Sequence, residues 1–246
     1  MTTLMLSPQA SEDSQRLRAA ALQLGWKVVR WSSWHKPPGL PEHDLCLYAS
    51  PLFGERVSQL TGLQLAEPPD DWLTHLPEEL LKRTVTLTTL EQARQREERL
   101  FYKPAAFKTF PAGVYQSGRE LPGPEQADGD NPVLLSDVVH WESEFRFFLL
   151  DGHCLTGSVY YRNGQSGQVG TSWPSEPEEY QQARKAAESA YSATSDRLPR
   201  SVVIDTGFIR DKGWAVIEAN PSWGSGIYGS EPEQVLRVIA EAVVSL

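Results

Sequence analysis

The chain has 246 residues, enough for one large domain or two or three small lobes. Its 40% hydrophobic and 22% charged residues are ordinary for a soluble globular protein, and a net charge of −9 argues against a nucleic-acid-binding face. Cys46 and Cys154 lack metal-type spacing and read as buried thiols in a reducing compartment; with no run of about 18 apolar residues and no signal-peptide pattern, a cytoplasmic protein is expected.

Taken in order, Thr2–Leu6 is an apolar strand and Ser11–Leu24 a helix, with Leu17, Ala20, Ala21 and Leu24 on one side and Gly25 closing it. Trp26–Trp31 and Asp44–Ala49 follow as strands around a loop at Pro37-Pro38-Gly39. Strand, helix and strand alternate, which predicts a small open α/β lobe with parallel pairing. His35 and His43 have no partner at ligand spacing and read as surface residues. Phe53–Leu65 reads as helical. Trp72–Leu81 is rich in Leu and Glu, and Val85–Leu87 is a short strand. Thr88 and Glu91 stand in capping-box order for a helix running to about Arg99.

Leu100–Pro104 is then a strand carrying Lys103, followed by a loop, Ala105–Gly113, that contains Lys108. A lysine at a strand end before a small-residue loop could hold phosphates, although the Walker pattern is absent and, on these residues alone, an exposed strand-end lysine is the favoured reading. Gly118–Pro132, rich in Gly, Pro and Asp, reads as a mobile surface loop. Val133–Leu135 is a strand, and Ser136–Trp141 a connector holding Val138 and Val139. In Glu142–Leu150 the polar residues Glu142, Glu144 and Arg146 alternate with Ser143, Phe145 and Phe147, so the three charges share one face. Asp151-Gly152 is a hairpin signal, the return strand Cys154–Tyr161 leads to Arg162, and Asn163-Gly164 makes another turn. Gln165–Pro174 is a loop, Glu176–Tyr191 a helix, and Pro232–Val244 the last helix.

Between those helices lies Ser201–Trp223, read as two paired strands with a turn at Arg210–Gly213. The first ends in Asp205. The second delivers Glu218 and Asn220 to one face, because residues two apart on a strand point the same way. Two carboxylates and an amide oxygen form a hard-oxygen set that suits Mg2+ carried in with nucleotide phosphates. An ordinary hairpin with polar ends has the same pattern.

The order of these parts resembles the ATP-grasp fold: a strand ending in Lys-Pro, an apolar connector, a Glu-rich hairpin, then Asp…Glu-x-Asn on paired strands. The stretches that carry it are FYKPAAFKTFPAGVY, DVVHWESEFRFFLLDG and VVIDTGF…GWAVIEANPSW, and they resemble a small ATP-grasp clade named for two arginines and one lysine. The resemblance implies an α/β architecture of α+β lobes: an N-terminal open α/β lobe over 1–80 and an ATP-grasp domain over 81–246. That domain would divide into a small ATP-binding lobe (81–137) and a metal- and substrate-binding lobe (138–246). It further implies ATP and Mg2+ as cofactors. Lys103 would contact the α- and β-phosphates, with Lys108 and Arg83 as further phosphate candidates. Val138 and Val139 would meet adenine, Glu144 the ribose hydroxyls, and Asp205, Glu218 and Asn220 the metal. Arg146 and Arg162 are the candidates for the two arginines, facing the γ-phosphate or the acyl substrate. Many ligases of the family carry an arginine two residues before the metal Asp; here that residue is Val203, which leaves the cation to come from elsewhere, Arg162 being the candidate. Trp141 and Trp223 read as packing residues that could border the site. The implied reaction is carboxylate–amine ligation through an acylphosphate, on small-molecule or peptide substrates; a phosphotransferase and a nucleotide-binding module without turnover are the alternatives.

Overall fold

The computed structural model describes residues 1–31, 35, 44–106 and 108–244. Pro37-Pro38-Gly39, His43 and Phe107 lie outside the described residues. The N-terminal lobe is built as the sequence predicts. Strand β1 (Thr3–Leu6) leads to helix α1 (Glu12–Gln23), then β2 (Lys27–Arg30) and β3 (Leu45–Tyr48), in a parallel sheet of order β2-β1-β3. Ser11 and Ser14 cap α1 reciprocally, each side chain taking the other's backbone N–H. Helix α2 (Pro51–Thr61) ends four residues before its expected limit, because Gly62 takes φ 76 and closes it with a left-handed cap. The next residues form β4 (Gln64–Leu65).

Helix α3 (Glu78–Leu81) precedes β5 (Val85–Thr89), helix α4 (Leu90–Arg94), β6 (Leu100–Pro104), β7 (Gly113–Tyr115) and β8 (Pro132–Ser136). The cap of α4 is Thr89, one residue later than expected, since Thr88 still pairs with Val133 in the sheet. The helix also stops at Arg94 rather than near Arg99. The four strands form an antiparallel sheet of order β5-β8-β6-β7. The stretch after β7 is not a loose loop. Leu121 is buried with Leu90, Tyr102 and Phe110, and Arg94 donates to the carbonyls of Pro122 (2.7 Å) and Ala127 (2.8 Å). A polar composition had suggested mobility, but one buried leucine and one arginine fasten the segment.

The larger sheet contains β9 (Trp141–Leu150), β10 (His153–Arg162), β11 (Gln165–Ser166), β12 (Ser201–Ile209) and β13 (Gly213–Asn220), in the order β11-β10-β9-β12-β13. Asp151 (φ 50) and Gly152 (φ 80) both take positive φ, as a tight hairpin turn demands. Helix α5 (Pro177–Ala193), inserted between β11 and β12, covers one face with Ala183, Ala187 and Ala190 against Phe145, Phe147 and Ile204. The small alanines let the helix approach the aromatic sheet face closely. On the other face Phe148 and Val203 meet Leu4, Leu17 and Cys46 of the N-terminal lobe, together with helix α6 (Pro232–Ile239). The chain then returns through β14 (Val243–Val244), which pairs with β4. Both cysteines are buried and unbridged, as expected, and burial pushes the Cys154 thiol up to about 12.

Replacing Arg94 with Met is expected to cost about 1–2 kcal/mol of stability, the worth of two hydrogen bonds to carbonyls, and to expose the 118–131 segment. Limited proteolysis mapped by mass spectrometry checks this: cleavage there speeds up in Arg94→Met while the rest of the chain stays protected.

Candidate functional site

The face of the large sheet turned away from α5 carries a row of directly opposed residues. The register sets Ser158 on β10 against Arg146 on β9, Arg146 against Asp205 on β12, and Asp205 against Glu218 on β13. Asp205 is not at a strand end, as the sequence had suggested; β12 runs on to Ile209. Its alignment with Glu218 depends on a bulge, for Thr206 pairs with Val216 and leaves Ile217 extra. The bulge keeps Glu218 and Asn220 on the Asp205 face while Val216 turns into the core beneath α5.

All four carboxylate oxygens of this pair are engaged. Arg146 grips Asp205 through Nε to Oδ1 (2.9 Å) and Nη2 to Oδ2 (2.7 Å). Lys103, reaching over from β6 in the other sheet, holds Glu218 Oε2, and Asn220 Nδ2 donates to Glu218 Oε1 at 2.8 Å. Asp205 is fully buried and Arg146 12% exposed, whereas Lys103 (29%) and Glu218 (25%) border solvent. Burial raises the Asp205 carboxyl to about 6 against the pull of Arg146. Burial would raise Glu218 too, but Lys103, Asn220 and Arg146 outweigh it and bring it down to about 2.

A cavity of about 170 Å3 opens between the two sheets and shares Lys103 and Glu218 with this cluster. Its apolar walls include Val85, Phe101, Leu134, Trp141 and Ile217, and both Val138 and Val139 line it. The connector 137–140 belongs to no strand, so its backbone is not committed to a ladder. Arg83 also lines the cavity. Its guanidinium lies 5.1 Å from the Trp141 ring centre and donates to the carbonyls of Leu81 (3.0 Å), Val216 (2.6 Å) and Ile217 (3.2 Å), which braces the bulge. Among the described residues no carboxylate forms an ion pair with it, and burial lowers its pKa to about 10. Gly207 is required beside it, because a Cβ there would lie 2.5 Å from the Trp141 ring.

Arg146 also rests against two aromatic rings. Its guanidinium carbon is 5.5 Å from the Tyr160 centroid and 5.3 Å from that of Tyr228, and the two rings stack at 5.1 Å. The Tyr160 hydroxyl donates to Glu144 Oε2 at 2.9 Å, and burial pushes the Glu144 carboxyl up against that bond. Tyr228 has φ 47, a costly conformation for an aromatic residue. Arg16 of α1 holds its carbonyl and that of Ser230 (2.9 Å), while Asp13 accepts from Ile227 N at 3.0 Å. The N-terminal lobe thus pins the loop that presents Tyr228. Nothing in the sequence marks these tyrosines: the αL conformation of Tyr228 arises from contacts remote in the chain.

Arg162 is a correction. It does not reach the cluster. A bulge in β10 between Val159 and Tyr161 shifts the alternation, so Arg162 opposes Ser143 and turns to the α5 face, where it pairs with Glu179 (2.8 Å to each oxygen). Lys108 is exposed on the β6–β7 turn, with no contact to the cluster among the described residues. Trp223 is 1% exposed, donates to the Ala66 carbonyl and packs in the N-terminal lobe, away from the cavity that Trp141 lines. His35 is exposed. Among the described residues no group of three or more His, Cys, Asp and Glu side chains could hold a metal, so the oxygen-donor set here is two carboxylates and an amide. No helix among the described residues is long and apolar enough to cross a membrane.

Residues 80–238 match a family model of the ATP-grasp domain, family 2 of the clade named for two arginines and one lysine. The chain belongs to the ATP-grasp superfamily. Solved structures agree on the fold. The D-cycloserine synthetase DcsG superposes with a TM-score of 0.60 at 15% identity, over 97% of this chain and 99% of that one. An L-amino acid ligase from Bacillus licheniformis gives 0.58 at 15% identity, over 100% and 76%. D-alanine–D-alanine ligase from Bacillus anthracis gives 0.54 at 12%, over 98% and 97%. Comparison with curated proteins returns no match. Within this ATP-grasp fold the cavity and the acidic pair lie between the four-stranded and five-stranded sheets.

The depressed Glu218 pKa carries a pH signature. A carboxylate lowered from 4.5 to about 2 stabilises the fold fully above pH 4.5, and that contribution is lost as pH falls toward 2. In Lys103→Met the Glu218 titration is expected to move upward and the stability difference between these pH values to shrink. Side-chain carboxyl 13C shifts and urea midpoints against pH measure the two effects.

Proposed function

We propose that the chain is an ATP- and Mg2+-dependent carboxylate–amine ligase. The observation that carries this reading is the juxtaposition of an apolar cavity with two carboxylates and two cations, in the cleft of an ATP-grasp fold. Neighbours of the same fold are a D-alanine–D-alanine ligase and an L-amino acid ligase. The slot between Val139, Trp141 and Ile217 suits a purine, with the free backbone of Val138 and Val139 to meet its edge. Glu144 would take the ribose hydroxyls. Lys103, with Arg83 beside it in the cavity wall, would bind the phosphates.

The donor chemistry of Asp205, Glu218 and the Asn220 amide oxygen fits Mg2+, which takes few carboxylates and shares phosphate oxygens. When bound, Mg2+ supplies positive charge to the phosphate oxygens. In the first step a substrate carboxylate oxygen attacks the γ-phosphorus and ADP leaves. In the second an amine would attack the acyl carbon, the C–O bond to phosphate would break, and the amine nitrogen would give up a proton as phosphate leaves. Arg146, opposite Asp205, would meet the charge that builds up on the transferred group and would supply the cation that Val203, an apolar residue packed against the N-terminal lobe, cannot. Substrates of small-molecule or peptide size fit the neighbours' chemistry.

The test is ADP and inorganic phosphate release over panels of amino acids and peptides. Phosphate released only when carboxylate and amine are both present supports ligation. ADP formed while the phosphoryl group stays on the acceptor contradicts it and indicates a phosphotransferase. Glu218→Gln is expected to lower kcat by about 100-fold or more with the fold intact. Lys103→Ala is expected to weaken nucleotide binding by about 10- to 100-fold, the worth of one charged hydrogen bond, as read by calorimetry.

A further inference from the structure

We infer that Arg16 and Tyr228 are positioning residues, through which the N-terminal lobe sets the guanidinium of Arg146. The inference rests on the nucleotide reading above and deepens it, for it names what orients the cation that would face the γ-phosphate. Tyr228 takes φ 47 in a turn that also contains Gly224, Gly226 and Gly229, and none of those three glycines takes a positive φ. A turn this rich in glycine would have one at the left-handed position unless the side chain there were needed. The turn does not need that side chain for its own hydrogen bonds. Ile227 N donates to Asp13 Oδ2 (3.0 Å), Gly229 N to Ser158 Oγ (3.0 Å) and Ser230 N to the Ile227 carbonyl (2.9 Å). Arg16 of α1 donates to the carbonyls of Tyr228 and Ser230 (2.9 Å to the latter). It forms no ion pair among the described residues, so its guanidinium is committed to this one turn.

The ring of Tyr228, and not its hydroxyl, makes the contacts. Among the described residues the hydroxyl has no hydrogen-bond partner. The ring stacks on Tyr160 (centroids 5.1 Å apart, planes at 17°), meets Trp173 edge-on at 5.3 Å and lies 5.3 Å from the Arg146 guanidinium carbon. Tyr160, held by its bond to Glu144, lies 5.5 Å from the same carbon. The turn touches Arg146 a second time, for the Gly226 carbonyl accepts from Arg146 Nη1 at 3.5 Å. Arg146 therefore has two kinds of support. One is Asp205, which takes Nε and Nη2. The other is this turn together with Tyr160, and its groups are neutral. In the ligase reading Asp205 shares its oxygens with a metal, and the turn is then what keeps the guanidinium aimed. The attraction between a cation and a ring face survives that exchange because it does not use the acid. Arg16 acts through Tyr228 and touches no reacting atom.

The test is calorimetric titration of the full chain, in Mg2+, with adenylyl imidodiphosphate, a non-hydrolysable ATP analogue, and with ADP, which lacks the γ-phosphate. The quantity read is the analogue-to-ADP affinity ratio relative to wild type, with melting temperatures recorded alongside. Tyr228→Asn takes the left-handed conformation readily and has no aromatic ring; it is expected to lower the ratio about tenfold with ADP affinity within about twofold of wild type. Arg16→Met is expected to lower it at least about threefold. Arg16→Lys, which can keep one of the two carbonyl bonds, is expected to lower it less, and provides the reading if the Met variant does not fold. Tyr228→Phe, which keeps the ring, is expected to match wild type. Because Arg16 acts through Tyr228, Arg16→Met/Tyr228→Asn is expected to be no worse than Tyr228→Asn alone. A loss of stability by itself would lower both affinities or neither. A wild-type ratio in Tyr228→Asn or in the Arg16 variants, additive losses in the double variant, or a loss in Tyr228→Phe would overturn the inference. The Arg146 Nε–H resonance, assigned by its absence in Arg146→Lys and recorded without nucleotide, is expected to move in Arg16→Met and hardly in Tyr228→Phe. Failure of wild type to bind either nucleotide would overturn the nucleotide reading instead. The resonance then tests the positioning alone, and an unmoved signal in Arg16→Met would overturn the inference as well.

Discussion

A carboxylate with no exposure to water must be paired, and Asp205 is such a group. Its partner, Arg146, meets it in a two-pronged bond between neighbouring strands, with Glu218 on the opposite strand as the second acid. Much of the surrounding structure serves this row. The bulge at Ile217 aligns Glu218 with Asp205, and Arg83 satisfies the carbonyls that the bulge frees. Tyr160 and Tyr228 flank the guanidinium, and α1 of the N-terminal lobe pins the turn that holds Tyr228 in its unfavourable backbone conformation. Lys103 joins the second sheet to the same charges and so closes the cleft from above.

The charge cluster and the cavity are two parts of one cleft. The apolar walls come from both sheets and from the strand-free connector 137–140, while the polar end is the acidic pair. Such a division matches a ligand with a flat apolar body and a highly charged tail. The N-terminal lobe contributes through the core that it shares with β9, β12 and α6, so the loop bearing Tyr228 is set by packing across the whole molecule.

Much of this was legible in the sequence because the signals were local. Alternation in Glu142–Leu150 placed Glu144 and Arg146 on one face, Asp-Gly marked the β9–β10 turn, and Glu218-x-Asn220 fixed two polar residues on one side of a strand. Local signals failed where a bulge intervened. Arg162 lies two residues beyond Tyr160, and period two puts both on one face; one extra residue in β10 sends Arg162 to the α5 side. Strand length also escaped, since β12 continues past Asp205 through Thr206 and through Gly207, a glycine that reads as turn material in isolation. Thr206 is instead buried and bonded to the Ala183 carbonyl, and Gly207 makes room for Trp141. Tyr160 and Tyr228 became visible only in three dimensions, because their partners lie on other elements. The segment after Gly118 read as mobile from composition, yet Arg94, 28 and 33 residues away from the carbonyls it binds, secures it.

On the proposed function the Asp205–Glu218 pair receives Mg2+ together with a nucleotide. Calorimetric titration of wild type and Glu218→Gln with a non-hydrolysable ATP analogue, with and without Mg2+, tests it most directly. Binding to wild type is expected to strengthen with Mg2+, and Glu218→Gln, still folded though less stable, is expected to lose that strengthening. Equal Mg2+-dependent binding by both proteins, or no binding by wild type, would contradict it.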